Sequence, residues 1–136
     1  MVFFDTNIFV YAVSGAKGDR ERHEAALQLI AETDFGLSVQ VIQEFMDVTL
    51  RKKQLGLTVE EIAEMVNLMA AYPVVETSLG LAHRAFELKS HFDIRYWDAA
   101  IIAAAEELGC DILLSEDLNH GQEYGAIRVV NPFRKK

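Results

Sequence analysis

Val2-Phe3-Phe4-Asp5-Thr6-Asn7-Ile8-Phe9-Val10-Tyr11-Ala12-Val13 is the stretch from which the rest of the chain can be read. Three apolar residues stop at a carboxylate, so Val2–Phe4 predicts a buried strand with Asp5 at its carboxyl end. Asp5-Thr6-Asn7 is capping chemistry, and Ile8 to Val13 predicts a short helix directly behind it. The same alternation recurs along the chain. Phe35–Val39, Val74-Val75, Asp111–Ser115 and Ile127–Val130 predict strands. Between them fall a helix capped by Asp19 and running to about Glu32, with Ala26, Leu29 and Ile30 inward, and one from about Gln40 to Gln54. Thr58 and Glu61 form a capping box. The helix they open carries Val59, Ile62, Val66 and Met69 in one stripe, with Met65, Leu68 and Tyr72 beside it, an apolar arc wide enough to suggest a dimer or partner surface. Pro73 ends that helix. Ser78 opens another to about His91, with Ala82, Ala85 and Phe86 inward, and Tyr96 to Leu108 forms the last, stopped by Gly109. Ser14–Gly18 and Asp117–Gly121 read as loops. Strands alternating with helices imply βαβ units, hence an α/β fold with a mainly parallel sheet covered on both faces. In such sheets ligands bind beyond the carboxyl ends of the strands.

A length of 136 residues points to a single domain over 1–136. No stretch reaches the ~20 apolar residues of a membrane span. The opening apolar run is broken by Asp5 and Asn7 and has no basic leader, so it does not read as a signal peptide. The single cysteine, Cys110, excludes an internal disulfide and fits a cytoplasmic protein. A net charge of −8 weighs against a polyanionic partner. Two features temper it: carboxylates that hold metal are neutralised in the working protein, and basic residues bunch at Arg51-Lys52-Lys53 and Arg134-Lys135-Lys136. As a solvated helix end and a tail, both clusters would need no partner.

Four acids stand out. Asp5 follows the first strand, where it could also serve simply as a helix cap. Glu44 lies three residues from Val41 and four from Val48, within the inward stripe of its helix; its plain alternative is the margin of that stripe, reaching water. Asp98 opens Trp97-Asp98-Ala99-Ala100-Ile101-Ile102-Ala103-Ala104-Ala105, a helix apolar enough to be nearly buried. Its place in the first turn suits the helix dipole, which does not explain an acid entering the core. Asp117 follows the strand ending at Ser115, with Glu116 as an alternative ligand and turn chemistry as the plain reading. Strand ends and inward helix faces allow all four to meet. Clustered carboxylates cannot all stay ionised without protons or cations among them. Oxygen-only ligands favour Mg²⁺ or Mn²⁺ over zinc. His23, His83, His91 and His120 are scattered without ligand spacing, and only His120 falls near Asp117.

Phe4-Asp5-Thr6-Asn7, Ser38-Val39-Gln40-Val41-Ile42-Gln43-Glu44-Phe45, Tyr96-Trp97-Asp98-Ala99 and Leu114-Ser115-Glu116-Asp117-Leu118, in this order and spacing, resemble the PIN-domain nucleases, in particular the VapC-type toxins of toxin–antitoxin modules. The resemblance implies a three-layer α/β/α fold around a five-stranded parallel sheet. It implies that Asp5, Glu44, Asp98 and Asp117 are the acidic metal-binding and catalytic set, with Thr6, Asn7 and Ser115 as polar support. Ser115 stands where the family usually has threonine, a change that keeps the hydroxyl. Mg²⁺ or Mn²⁺, an RNA substrate, a homodimer and a cognate antitoxin are implied with it. Water activated at such a site would attack a phosphodiester in line, leaving a 5′-phosphate and a 3′-hydroxyl. Arg51, Lys52 and Lys53 are candidates for holding the RNA backbone. Two other classes compete. A haloacid-dehalogenase-like phosphatase also has an aspartate after its first strand, but wants a second one where this chain has Asn7. A non-catalytic metal-binding interaction module would use the acids for binding or capping alone.

Overall fold

The computed structural model describes residues 1–15 and 19–134. The greater part of the expected Ser14–Gly18 loop, residues 16–18, and the last two lysines of the Arg134-Lys135-Lys136 cluster lie outside the described residues. The chain order is β1 (Val2–Phe4), α1 (Thr6–Ser14), α2 (Arg20–Glu32), β2 (Phe35–Ser38), α3 (Val39–Arg51), a 3-10 turn (Lys53–Leu55), α4 (Val59–Ala70), β3 (Val74–Val75), α5 (Leu79–Phe92), α6 (Tyr96–Glu107), β4 (Ile112–Leu114), β5 (Glu123–Tyr124) and β6 (Ile127–Val130). No helix among the described residues is long and apolar enough to cross a membrane.

The strands form one sheet in the order β3-β2-β1-β4-β6-β5. Pairing is parallel throughout except between β5 and β6, which run antiparallel. Among the described residues the sheet therefore has six strands, not five. The added strand, Glu123–Tyr124, is two residues long and joins β6 through Gly125 and Ala126. It has no apolar run of its own to announce it, and it exists because β6 offers it a free edge.

The core lies on both faces of β1 and β2. Phe4 stacks on Phe35 with ring centroids 4.1 Å apart, and Phe35 stacks on Tyr72 at the same distance. Phe9 sits 5.9 Å from both Phe4 and Phe35. On the other side α6 is buried without a break from Ala99 to Ala105, as its composition implies. In α5 the inward positions are Leu81, Ala85 and Leu88. Phe86, expected inward, is 66% exposed, because one residue past Ala85 is about 100° further round a helix. Ala82 is half-buried. The wide arc of α4 divides: Ile62 and Met69 are buried while Val59 and Leu68 face solvent.

Gly36 marks the tightest crossing of sheet and helix. A methyl there would collide with Leu108 Cδ2 and lie 3.2 Å from the Pro73 carbonyl oxygen. Leu108 can yield and the carbonyl cannot. Gly36→Ala is expected to cost about 1–3 kcal/mol, read as a lower urea midpoint with unchanged m.

Candidate active site

β1 and β4 pair up to the point where both chains leave the sheet. The Asp5 amide still donates to the Leu114 carbonyl (3.0 Å), and the Ser115 amide to Val130 (3.1 Å). Asp5 and Ser115 are therefore neighbours on the carboxyl edge. Ser115 Oγ donates to Asp5 Oδ2 at 2.7 Å and accepts from the Asp117 amide at 3.1 Å. The Thr6 amide donates to Asp5 Oδ1 at 2.7 Å. Asp5 thus caps α1 and floors a cleft at once, so its two sequence readings do not exclude each other.

Asp5 is 5% exposed. Burial pushes its carboxyl up to about 6, against the downward pull of the Ser115 and Thr6 hydrogen bonds, with Asp117 and Glu44 adding to the rise. Glu44 comes from the second turn of α3 and is half-buried. Thr6 Oγ1 donates to its Oε1 at 3.0 Å. Its carboxyl is raised, first by desolvation, with Thr6, Gln40 and Arg95 opposing and Asp98 adding. Asp98, in the first turn of α6, is approached by Arg95 Nε at 3.4 Å and Nη2 at 3.5 Å. Asp117 is exposed as a residue, yet its carboxylate lines the cleft and is raised, first by desolvation, then by Asp98 and Glu116, while Asn7 and Arg95 pull it down.

All four acids line one cleft of about 360 Å³, together with Thr6, Asn7, Lys52 and Arg95, over an apolar floor that includes Val48 and Ile101. Glu116 reaches the same cleft with both oxygens committed, one to the Tyr11 hydroxyl at 2.5 Å and the other to Arg22 Nε at 2.6 Å. Burial, followed by that bond, pushes the Tyr11 hydroxyl up to about 12. Glu116 is thereby a brace between α1, α2 and the loop after β4.

As placed, no three His, Cys, Asp or Glu side chains among the described residues close into a metal-holding group. The acids share the cleft while each leans on its nearest donor: Asp5 on Ser115, Glu44 on Thr6, Asp98 on Arg95. Two features fit a hard cation nonetheless. The acidic donors are oxygens only. The Asn7 side-chain amide is buried at the cleft beside Asp117, whose carboxyl it pulls down, and neither its oxygen nor its nitrogen makes a hydrogen bond of good geometry among the described residues, which leaves it capacity for a water or a ligand.

Of the three basic candidates, Lys52 reaches the cleft. Arg51 pairs with Asp47 at 3.6 Å on the solvent face of α3, and Lys53 is exposed in the 3-10 turn. No histidine lines the cleft: His23 Nδ1 lies 2.9 Å from the Tyr11 carbonyl, and His120 Nδ1 accepts from the Asn131 amide at 3.0 Å. Cys110 is buried. The cleft residues that sequence reasoning passed over are Tyr11 and Arg95. Arg95 could have been found from its position three residues before Asp98, which puts the two side chains on one helical face.

No curated protein matches the sequence. Among solved structures the chain is similar to FitAcB from Neisseria gonorrhoeae, with TM-score 0.71 and 18% identity over 99% of this chain and 100% of that one. It is similar to a chain of a toxin–antitoxin complex from Klebsiella pneumoniae, with TM-score 0.68 and 22% identity over 97% of this chain and 98% of that one. It is also similar to VapC20 of Mycobacterium tuberculosis, a sarcin–ricin-loop-cleaving toxin, with TM-score 0.66 and 22% identity over 86% and 92% of the two chains. The PIN domain family matches residues 2–122. By that match, on a parallel sheet whose carboxyl edge carries the acids, the chain belongs to the PIN domain family.

Proposed function

We propose that the protein is an Mg²⁺- or Mn²⁺-dependent endoribonuclease that hydrolyses RNA phosphodiesters, and that it is the toxin of a type II toxin–antitoxin pair. The observation that carries the chemistry is the convergence of the carboxylates of Asp5, Glu44, Asp98 and Asp117 on one cleft. Membership of the PIN domain family supports nuclease activity, and divalent-cation dependence is general among PIN-domain nucleases. The names of two similar folds, a toxin–antitoxin complex and a sarcin–ricin-loop-cleaving toxin, support the toxin reading and an antitoxin partner, and a cytoplasmic location is proposed with that reading. A homodimer is proposed on the family resemblance.

Asp5, Asp98, Glu44 and Asp117 would hold the cations. Bound Mg²⁺ or Mn²⁺ supplies positive charge for the phosphorane-like transition state and acidifies water to the point of attack near neutral pH. Asp5 is held in a single rotamer by Ser115 and Thr6, so its oxygens are presented without rearrangement. Thr6 does the same for Glu44. The Asn7 amide, beside Asp117, offers N–H donors to a phosphate oxygen or a water and a carbonyl acceptor to a water. Lys52 neutralises backbone phosphate at the rim.

The test is cleavage of a 5′-labelled RNA with defined cation content. Cleavage is expected with Mg²⁺ or Mn²⁺, lost in EDTA, and restored by excess cation, with products that carry 5′-phosphates. A cation at a hundred times its Kd should also stabilise the fold by about 2.7 kcal/mol. Cleavage indifferent to EDTA, or none under any cation, sinks the reading.

A further inference from the structure

We propose that Arg95 serves two anions in turn: it is the resident counter-ion of the cleft, held on Asp98 until a divalent cation takes that carboxylate, and then it grips a phosphate of the RNA. The inference rests on the nuclease reading above and assigns it a residue that exchanges partners.

Three observations carry it. First, the Arg95–Asp98 pair is loose. Its two contacts are 3.4 and 3.5 Å. Two guanidinium pairs that bridge separate elements close much further, Arg22 to Glu116 at 2.6 Å and Arg84 to Glu106 at 2.7 and 3.0 Å, while the exposed Arg128–Glu123 pair is loose, like that of Arg95, at 3.3 Å. Arg95 is also 71% exposed, against 37% for Arg22 and 40% for Arg84. A pair this long and this wet is worth only a few-fold in an equilibrium.

Second, the position does not suit a structural arginine. Arg95 stands at the N-cap of α6, makes no side-chain cap, and puts a cation at the positive end of the helix dipole. What offsets that placement is the acids: Arg95 pairs with Asp98 and lines the same cleft as Asp5, Glu44 and Asp117. One guanidinium therefore faces a cleft that holds four carboxylates.

Third, the geometry makes the exchange directional. A divalent ion carries twice the charge and binds the same oxygens, so it displaces the guanidinium and then repels it. Arg95 is left at the cleft mouth with its donors unpaired, facing the path of the substrate. A phosphate accepts the planar fork in bidentate fashion, which an ammonium cannot match.

The experiment is calorimetric titration of Mn²⁺ into the metal-stripped full chain, followed by RNA cleavage at saturating Mn²⁺. Arg95→Gln is compared with Arg128→Gln, which removes the same charge from an exposed pair with Glu123 on β6 and does not line the cleft. Arg95→Gln is expected to bind Mn²⁺ roughly three- to tenfold more tightly than wild type, with Arg128→Gln close to wild type. At saturating Mn²⁺, Arg95→Gln should raise KM for RNA about tenfold and leave kcat within about twofold, a loss of phosphate binding rather than of chemistry. Arg95→Lys should keep metal affinity near wild type but share the higher KM, because it keeps the charge and loses the fork. Mn²⁺ affinity of Arg95→Gln no greater than that of Arg128→Gln overturns the proposal, as does an unchanged KM. A wild-type protein that takes up no Mn²⁺ brings down the nuclease reading itself, so the two failures are told apart.

Discussion

Asp5→Asn is expected to abolish the proposed RNA hydrolysis and to make the metal-free protein more stable. Both outcomes follow from one carboxyl group. In the fold its pKa is about 6, and in the unfolded chain it returns to about 3.9. Between those values the folded state holds a proton that the unfolded state has lost, so stability declines as pH rises through the window. The group's contribution is intact below about pH 4, and above about pH 6 the buried charge costs on the order of 3 kcal/mol. Asparagine carries no charge and keeps the acceptor for the Thr6 amide. It also asks the Ser115 hydroxyl, which donates to Asp5, to turn away, and that offsets part of the gain. In EDTA at pH 7.5 the variant should melt several degrees above wild type, and near pH 4 the difference should vanish. Added Mn²⁺ should raise the wild-type midpoint more than the variant's. Cleavage should fall by at least about 100-fold, since even residues that merely orient metal ligands cost 10–100-fold. Wild-type cleavage by a clean preparation, or a variant less stable at every pH, contradicts this account.

Phe35→Ala should be the most damaging change to the fold. Phe35 is fully buried at the start of β2 and touches three rings: Phe4 on one face, Tyr72 on the other and Phe9 at its edge. Truncation removes the transfer free energy of the ring and leaves a cavity whose walls belong to β1, α1 and the turn before β3. A cost of about 3–5 kcal/mol is expected, a large part of the 5–15 kcal/mol that typically holds a domain together. Urea or thermal unfolding followed by circular dichroism measures it. Phe4 directly precedes Asp5, so the surviving folded fraction should also bind Mn²⁺ more weakly, as the end of β1 loses the support that aims the carboxylate. A loss under 1 kcal/mol would show that the stack is not what sets the register of β1 against β2.

The parts of the fold that the sequence announces are those with an unambiguous period or a stop. Val2–Phe4 ends at Asp5, Thr58 and Glu61 make their capping box as expected, and the alanine-rich α6 is buried as written. β5 was hidden because Glu123–Tyr124 has no apolar pattern and pairs only through an edge supplied by β6. Phe86 misleads because size and hydrophobicity promise burial, while its angle on α5 is fixed by Leu81, Ala85 and Leu88. At the site, Asp5, Glu44, Asp98 and Asp117 could be found because acids beside apolar strand ends and helix stripes conflict with their surroundings. Tyr11 and Arg95 could not be found that way. A tyrosine on a short apolar helix and an arginine before a helix violate no local rule; the role of Tyr11 depends on Glu116, far along the chain, and that of Arg95 on the cleft to which other elements bring Asp5, Glu44 and Asp117.

The two outermost strands of the sheet, Val74–Val75 and Glu123–Tyr124, are each two residues long. Such borders expose too little open backbone to recruit a strand from a neighbouring molecule. The protein is thereby protected against ribbon-like stacking of its copies, and a companion polypeptide gains little by lying alongside the sheet. Its purchase has to come from side chains on the helices, where Val59, Leu68, Leu79 and Phe86 face the solvent.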